Sequence, residues 1–376
     1  MGVPFFDIHA AWDAGQCERL RQRWEAILAH GRFVNGPEIP ELEAALAAFL
    51  GLPEVVACSN GSDALVLALR VAGVGPGDEV LVPAFTFFAT AGAVVRLGAR
   101  PVFCDIAPET FCLDPEDAAR RAGPAVQAAL PVHLYGRPCA VAPLREALRE
   151  ATGRDVAIVE DAAQAVGAVG EEGPCGGLGI AAGFSCFPTK NLGATGDAGF
   201  VTTRDAEAAQ RMRRLREHGM DRRYLHEEAG WNFRMDSLQA ASLLVALERL
   251  EAWTEERRAA ARHYRELFAE AGLGPRVVVP QDAPGHVWHQ FVLRVREDRD
   301  GLREALAEQG IGSAVYYPWP LHLQPCFAGL GGREGGLPES ERAAKEVLAL
   351  PIQPGRTAED RVRVVEAIAA WVRSRS

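Results

Sequence analysis

From residue 52 to about residue 245, short and nearly continuous apolar runs alternate with stretches whose apolar positions recur at helical spacing. The runs are EVVACS (54–59), DEVLVPA (78–84), RPVFCDI (100–106), AALPVHLYG (128–136) and DVAIVEDA (155–162). Between them lie DALVLALRVAG (63–73), ATAGAVVRLG (89–98), PEDAARRA (115–122) and PLREALREAT (143–152). Apolar strands without polar alternation are buried on both faces, and strand–helix–strand repetition demands crossovers. The pattern therefore predicts an α/β core built on a mostly parallel sheet covered on both sides.

Ahead of this core, residues 12–50 predict a helix, a turn at GRFVNGP (31–37) and a second amphipathic helix ended by Gly51. From about residue 246 the texture changes. A long charged helix (246–272) leads to strand-like RVVVP (276–280) and HQFVLRVR (289–296), then to helices at GLREALAEQG (301–310) and AEDRVRVVEAIAAWVRS (358–374). We expect a large α/β domain over residues 1–245, N-terminal helices included, and a smaller α+β domain over 246–376. A chain of 376 residues exceeds what one hydrophobic core usually supports, in keeping with that division. No internal repeat or low-complexity tract interrupts it.

Composition narrows the function classes. Forty Lys and Arg against fifty Asp and Glu give a net charge of −10 without a long basic run, which argues against nucleic acid as partner. The eight cysteines include no C-x-x-C pair and several sit inside apolar runs, as buried thiols in a reducing compartment do. Neither a leader-like N-terminus nor a long uninterrupted apolar stretch is present, so the expectation is a cytoplasmic protein not embedded in a membrane.

In open α/β sheets, ligands bind beyond the carboxyl ends of the strands, so the polar residues that end the strands are the candidates. Three sets stand out. Ser59-Asn60-Gly61-Ser62 ends a strand and opens a helix, where free backbone N–H groups attract anions and Gly61 permits close approach of a phosphate; an ordinary helix cap by Ser62 is the plain alternative. Glu160-Asp161 ends another strand, with Gln164 three residues on. A carboxylate there can simply cap a helix, or Asp161 can pair with a protonated ring nitrogen, the partner that pyridoxal phosphate needs to act as an electron sink, with Gln164 reaching the ring oxygen. Lys190 is flanked by Phe184, Phe187 and Pro188 before it and by Asn191, Gly193 and Gly196 after it. Those neighbours are unlike a surface, and desolvation would free its amine to attack an aldehyde.

At this point the chain resembles the DegT/DnrJ/EryC1/StrS family of pyridoxal phosphate-dependent nucleotide-sugar aminotransferases, almost end to end. The matching segments are GRFVNGPEIPELE, CSNGSDALVLAL, GDEVLVPAFTFFATAGAV, VHLYG, VEDAAQAVGA, FSCFPTKNLGATGDAGFVTT, REHGM, GWNFRMDSLQAA and YYPWPLHLQPCF. The resemblance implies the three-layer type I fold. It implies pyridoxal 5'-phosphate as cofactor, with its pyridoxamine 5'-phosphate form between half-reactions. Lys190 would be the Schiff-base lysine and proton carrier, Asp161 the partner of the pyridine nitrogen and Gln164 that of the ring hydroxyl. Gly61, Ser62 and Ser185 would bind phosphate, and Phe87 would stack on the ring unless it is a core residue. Asn232 would reach the cofactor phosphate of a neighbouring subunit, which implies a homodimer with shared sites. Tyr317, His322 and Arg32 would lie near the sugar nucleotide, and His133 and Tyr135 would border the cofactor unless packed for structure.

The activity so implied is transfer of an amino group from L-glutamate to a keto sugar. The text KNLGATGDAG and YYPWPLHLQP favours C3 of a dTDP- or UDP-linked 3-keto sugar over C4. A dehydratase of the same family would carry His in place of Lys190, and a regulatory protein on this fold would not need Asp161, Gln164 and Lys190 together. Cys186, Thr189 and Ala198 depart from common family text without touching this chemistry. His286 and His289 have no further ligands at metal spacing and HVWHQF reads as a strand that would send them to opposite faces, so no metal site is expected. Gly73, Gly75 and Gly77 follow a helix and read as turn glycines, not as a dinucleotide fingerprint.

Overall fold

The computed structural model describes residues 2–8 and 12–375. Seven strands form the main sheet: β1 (Glu54–Cys58), β2 (Glu79–Pro83), β3 (Arg100–Cys104), β4 (Val126–Ala129), β5 (Ala157–Asp161), β6 (Ala181–Ser185) and β7 (Gly199–Thr203). Their order across the sheet is β1-β7-β6-β5-β4-β2-β3. The pairs from β6 through β3 are parallel, and β7 runs antiparallel to both of its neighbours.

The sheet is covered on both sides, as its unbroken apolar strands require. On one face Val56, Cys58, Val80, Val82, Val159 and Ala181 pack beneath the helices Gly61–Val71, Phe88–Arg96 and Ala206–Leu215. The alternate residues, among them Val55, Ala57, Leu81, Ile158 and Ala182, face the helices Glu38–Leu50, Pro115–Arg121, Val141–Thr152 and the start of Ser237–Ala271. The strand period of two sends Glu160 and Asp161 to opposite faces, although they are adjacent. Only Asp161 ends on the side of the helix Gly61–Val71.

The predicted helix–turn–helix at the N-terminus is Ala14–His30 followed by Glu38–Leu50, and Gly51 closes the second helix in the left-handed conformation with φ 64°. The expected division near residue 245 falls inside one continuous helix, Ser237–Ala271, whose 35 residues pack first on the large sheet and then on a separate core. That second core surrounds a three-stranded antiparallel sheet of β8 (Val277–Val278), β9 (Phe291–Val295) and β10 (Val347–Leu350). HVWHQF is not the strand its apolar text suggests, since β9 begins only at Phe291 and Trp288 has a left-handed φ of 47°. No helix among the described residues is long and apolar enough to cross a membrane.

Candidate active site

The carboxyl ends of β1, β5 and β6 converge on a cavity of about 510 Å³. Its walls include Gly61 and Ser62, Phe87, Asp161 and Gln164, Ser185, Lys190 and Tyr317. Three turns of chain far apart in sequence thus supply the groups that the strand-end argument singled out.

The helix Gly61–Val71 is capped by Asn60, whose side chain accepts from the Asp63 N–H at 2.9 Å. The cap is Asn60 and not Ser62, so the Ser62 hydroxyl is left to the cavity. Asp63 is pinned in turn by the Asn60 amide at 2.8 Å, by Arg96 at 2.7 Å and by the Ser59 hydroxyl. A Cβ on Gly61 would come within 2.6 Å of the Ser185 Cβ. Only glycine lets the helix start close onto the end of β6, and the result is a cradle of backbone N–H groups and two hydroxyls suited to a phosphate.

Asp161 is buried, and its carboxylate accepts from the Thr90 hydroxyl at 2.8 Å and from the Ala163 N–H at 3.2 Å. Burial raises its pKa, and these bonds and the Lys190 charge offset that only in part. A carboxylate in this state is under-compensated, and a cationic partner such as a protonated pyridine nitrogen would relieve it. Lys190 keeps some access to the cavity, yet the surrounding protein desolvates its amine and lowers the pKa to about 8, against the attraction of Asp161. About a tenth to a fifth of the amine is therefore neutral near pH 7, far more than for an ordinary lysine, and able to react with a carbonyl. An anion cradle, an under-compensated buried carboxylate and a reactive amine on one cavity fit pyridoxal phosphate.

Gln164 is used from both ends: Oε1 accepts the Tyr135 N–H at 2.6 Å and Nε2 donates to the Tyr317 hydroxyl at 3.2 Å. Phe87 is 55% exposed, which rules out a core role, and its ring centroid lies 5.9 Å from that of Tyr317.

Other expected contacts lie elsewhere. His133 is wholly buried on the opposite face of the sheet, 2.9 Å from Glu160, because Glu160 and Asp161 alternate. Glu160 also accepts the N–H groups of Gly176, Leu178 and Gly179, so the pair braces the loop that leads into β6. Tyr135 is buried with its hydroxyl on the Tyr316 carbonyl, and His322 is buried against Glu341 at 3.1 Å; neither lines the cavity. Arg32 and Asn232 also lie off the cavity of their own chain. They share a surface patch: the Ser237 hydroxyl donates to the Arg32 carbonyl at 2.9 Å, Asn35 to Glu217 at 2.7 Å, and Glu217 bridges to Asn232.

The structure adds Thr90, the donor to Asp161, which is not a strand-end residue, and moves the capping role within the Ser59–Ser62 turn from Ser62 to Asn60. The spacing of Thr86 and Thr90, whose hydroxyls lie 3.2 Å apart across the helix start, is the signal that could have found the first.

A model of the DegT/DnrJ/EryC1/StrS aminotransferase family matches residues 16–369. Similar proteins include the "pleiotropic regulatory protein" of Geobacillus stearothermophilus, 46% identical over 99% of both chains. Another is the dTDP-3-amino-3,4,6-trideoxy-alpha-D-glucose transaminase of Streptomyces venezuelae, 42% identical over 98% of this chain and 96% of its own. Among solved structures, S. venezuelae DesV in complex with a ketimine intermediate superposes with a TM-score of 0.92 at 41% identity, covering 99% of this chain and 98% of the other.

Proposed function

Because the chain belongs to the DegT/DnrJ/EryC1/StrS aminotransferase family, we propose that it transfers an amino group from L-glutamate to C3 of a dTDP- or UDP-linked 3-keto sugar, in amino-sugar biosynthesis. The observation that carries this reading is the single cavity shared by Lys190, Asp161 and the Gly61–Ser62–Ser185 cradle.

Gly61, Ser62 and Ser185 would hold the phosphate of pyridoxal phosphate, Asp161 its ring nitrogen and Gln164 its ring hydroxyl, while Phe87 would cover one ring face. When bound, the cofactor supplies an electron sink for the charge left on a substrate carbon after its proton departs. The chain's own residues do the rest. Lys190 Nζ takes the proton from the α-carbon of glutamate in the first half-reaction. In the second it handles the proton at the sugar carbon that receives nitrogen, and the lowered pKa suits an amine that must work in both directions. Thr90 holds the Asp161 carboxylate in one orientation throughout.

The 42% identical relative is named for a 3-amino sugar, which supports C3. The eight cysteines, all free and six of them buried, support a reducing cytoplasm as the setting. Asn232 and Arg32 would act in a homodimer, reaching the partner's cofactor phosphate and sugar nucleotide from their common patch. A second reading, regulation without chemistry, has the name of the 46% identical relative in its favour. Amination assays on a panel of 3-keto and 4-keto nucleotide sugars, with glutamate as donor, separate these readings. Turnover of 3-keto sugars is expected; turnover of 4-keto sugars alone overturns the C3 assignment, and no glutamate-dependent release of 2-oxoglutarate leaves the regulatory reading standing.

A further inference from the structure

His289 also lines the main cavity, and the protein fixes its ring with unusual completeness. His289 and Asn191 are each 5% exposed, and the ring Nδ1 lies 3.0 Å from Asn191 Oδ1. The Asn191 amide nitrogen donates to the Val287 carbonyl at 3.0 Å. Reversing that amide would set its oxygen against a carbonyl oxygen, so the backbone decides which end of Asn191 faces the ring. An amide oxygen only accepts, and Nδ1 therefore carries the proton. In the neutral ring Nε2 then keeps its lone pair and is free to accept.

The backbone that presents the ring is held from three sides. Arg257, buried on the helix Ser237–Ala271, reaches the carbonyls of Trp288 and His289, each at 3.4 Å. The Val287 N–H donates to Gly136 O at 3.0 Å, and the Gln290 N–H to Tyr135 O at 3.3 Å. Gly136, at φ 89°, approaches so closely that a Cβ there would meet the His289 nitrogen at 3.0 Å. The left-handed Trp288 next door is a strained conformation for a bulky residue, of the kind that persists only where the surroundings over-determine it. Asn191 follows Lys190 directly, so the lysine and the histidine are referred to one short segment.

We propose that His289 is a positioning residue for Lys190: its ring, locked as the Nδ1–H tautomer by Asn191, offers Nε2 as a hydrogen-bond acceptor to the lysine amine inside the cavity. The inference rests on the cofactor reading above and assigns a role to a histidine weighed from the sequence only as a metal ligand. Burial and the charges of Lys190 and Arg257 keep the imidazole neutral, holding its pKa well below the ordinary value, so it remains an acceptor across the working range. Asp161, from β5, and Cys186, beyond the end of β6, act on the charge of Lys190, and Asp197, His289, Tyr316 and Tyr317 are the other titratable groups that line its cavity.

The test is the pH dependence of covalent uptake of pyridoxal phosphate by cofactor-free protein, followed by absorbance. In that step the neutral lysine amine forms a C=N bond to the aldehyde carbon and the aldehyde oxygen leaves as water, so the rate reports both the charge and the placement of Lys190. The wild type should show a midpoint near 8. In His289→Phe the ammonium form loses an acceptor, so the midpoint should fall by about half a unit, the worth of one ordinary hydrogen bond, and the plateau rate by about tenfold. His289→Gln retains an acceptor and should stay within about twofold of wild type, while Asn191→Ala frees the tautomer and should shift in the direction of the Phe variant. A Phe variant indistinguishable from wild type, or a Gln variant as impaired as Phe, would overturn the proposal. If the Phe variant does not fold, an unshifted Asn191→Ala does so. Failure of the wild type itself to take up the cofactor would instead sink the cofactor reading, and this inference with it.

Discussion

Gly61 shows how much of the site depends on an atom that is absent. Its approach to Ser185 leaves no room for a methyl group, and the two hydroxyls of the cradle are brought together only because the helix start can close on the strand end. Gly61→Ala should therefore weaken cofactor affinity by about tenfold, near 1.4 kcal/mol, while leaving the lysine-linked absorption maximum unmoved. An absorbance titration after dialysis measures both. At this scale the sequence was legible where chemistry and strand-end position coincide, as at Lys190 and Asp161. It misled where a residue type was right but its neighbour's geometry decided. His133 looks like a cavity residue from its place at a strand end, yet Glu160 claims it on the far face. Phe87 is as apolar as any core residue and is exposed because it precedes a helix that begins at the cavity rim.

The element that most needs its polar core is the loop from Gly176 to Gly179, which delivers β6 and hence Ser185. Glu160 accepts three of its N–H groups as well as His133. Burial alone would raise the Glu160 pKa, but His133 and the amides hold it below its ordinary 4.5. Burial alone would lower that of His133, and contact with Cys175 and Glu160 holds it well above 6.5. The Glu160 share of stability is thus present above pH 4.5 and lost as pH falls through the depressed value; the His133 share is complete below 6.5 and fades as pH rises through the raised one. Replacing Glu160 by Gln should cost about 3 kcal/mol near pH 6, in the range for breaking a buried pair. Denaturant melts at several pH values would show the deficit shrinking toward low pH. Strands β1 to β5 were easy to read because doubly buried strands are apolar throughout. The antiparallel β7 was not, since Gly199–Thr203 ends in two threonines whose hydroxyls bond the Gly176 and Ile180 carbonyls and so hide as core residues.

For the whole molecule, the arrangement of Arg32 and Asn232 matters most. The turn bearing Arg32 is tied to the helix start at Ser237, and Asn232 is bridged to Glu217, so both belong to one rigid patch off their own cavity. If that patch completes a partner's site, Lys190→Ala and Asn232→Ala, each impaired alone, should restore activity when refolded together. A mixed dimer contains one site with Lys190 from the Asn232 variant and Asn232 from the Lys190 variant. No recovery in dimers shown to be mixed would mean that each chain works unaided. The net charge of −10 argued against nucleic acid but gave no hint of a phosphate cradle, because a helix start binds anions through backbone groups that carry no formal charge.

The central claim is that Lys190 is the reacting amine, and the absorption spectrum of the protein loaded with pyridoxal phosphate tests it most directly. Wild type should show a visible lysine-linked band that L-glutamate bleaches with release of one equivalent of 2-oxoglutarate, and Lys190→Ala should show neither the covalent band nor keto-acid release beyond about one-thousandth of the wild-type rate. A covalent band that persists in Lys190→Ala, or bleaching of the wild type without keto acid, would contradict the account.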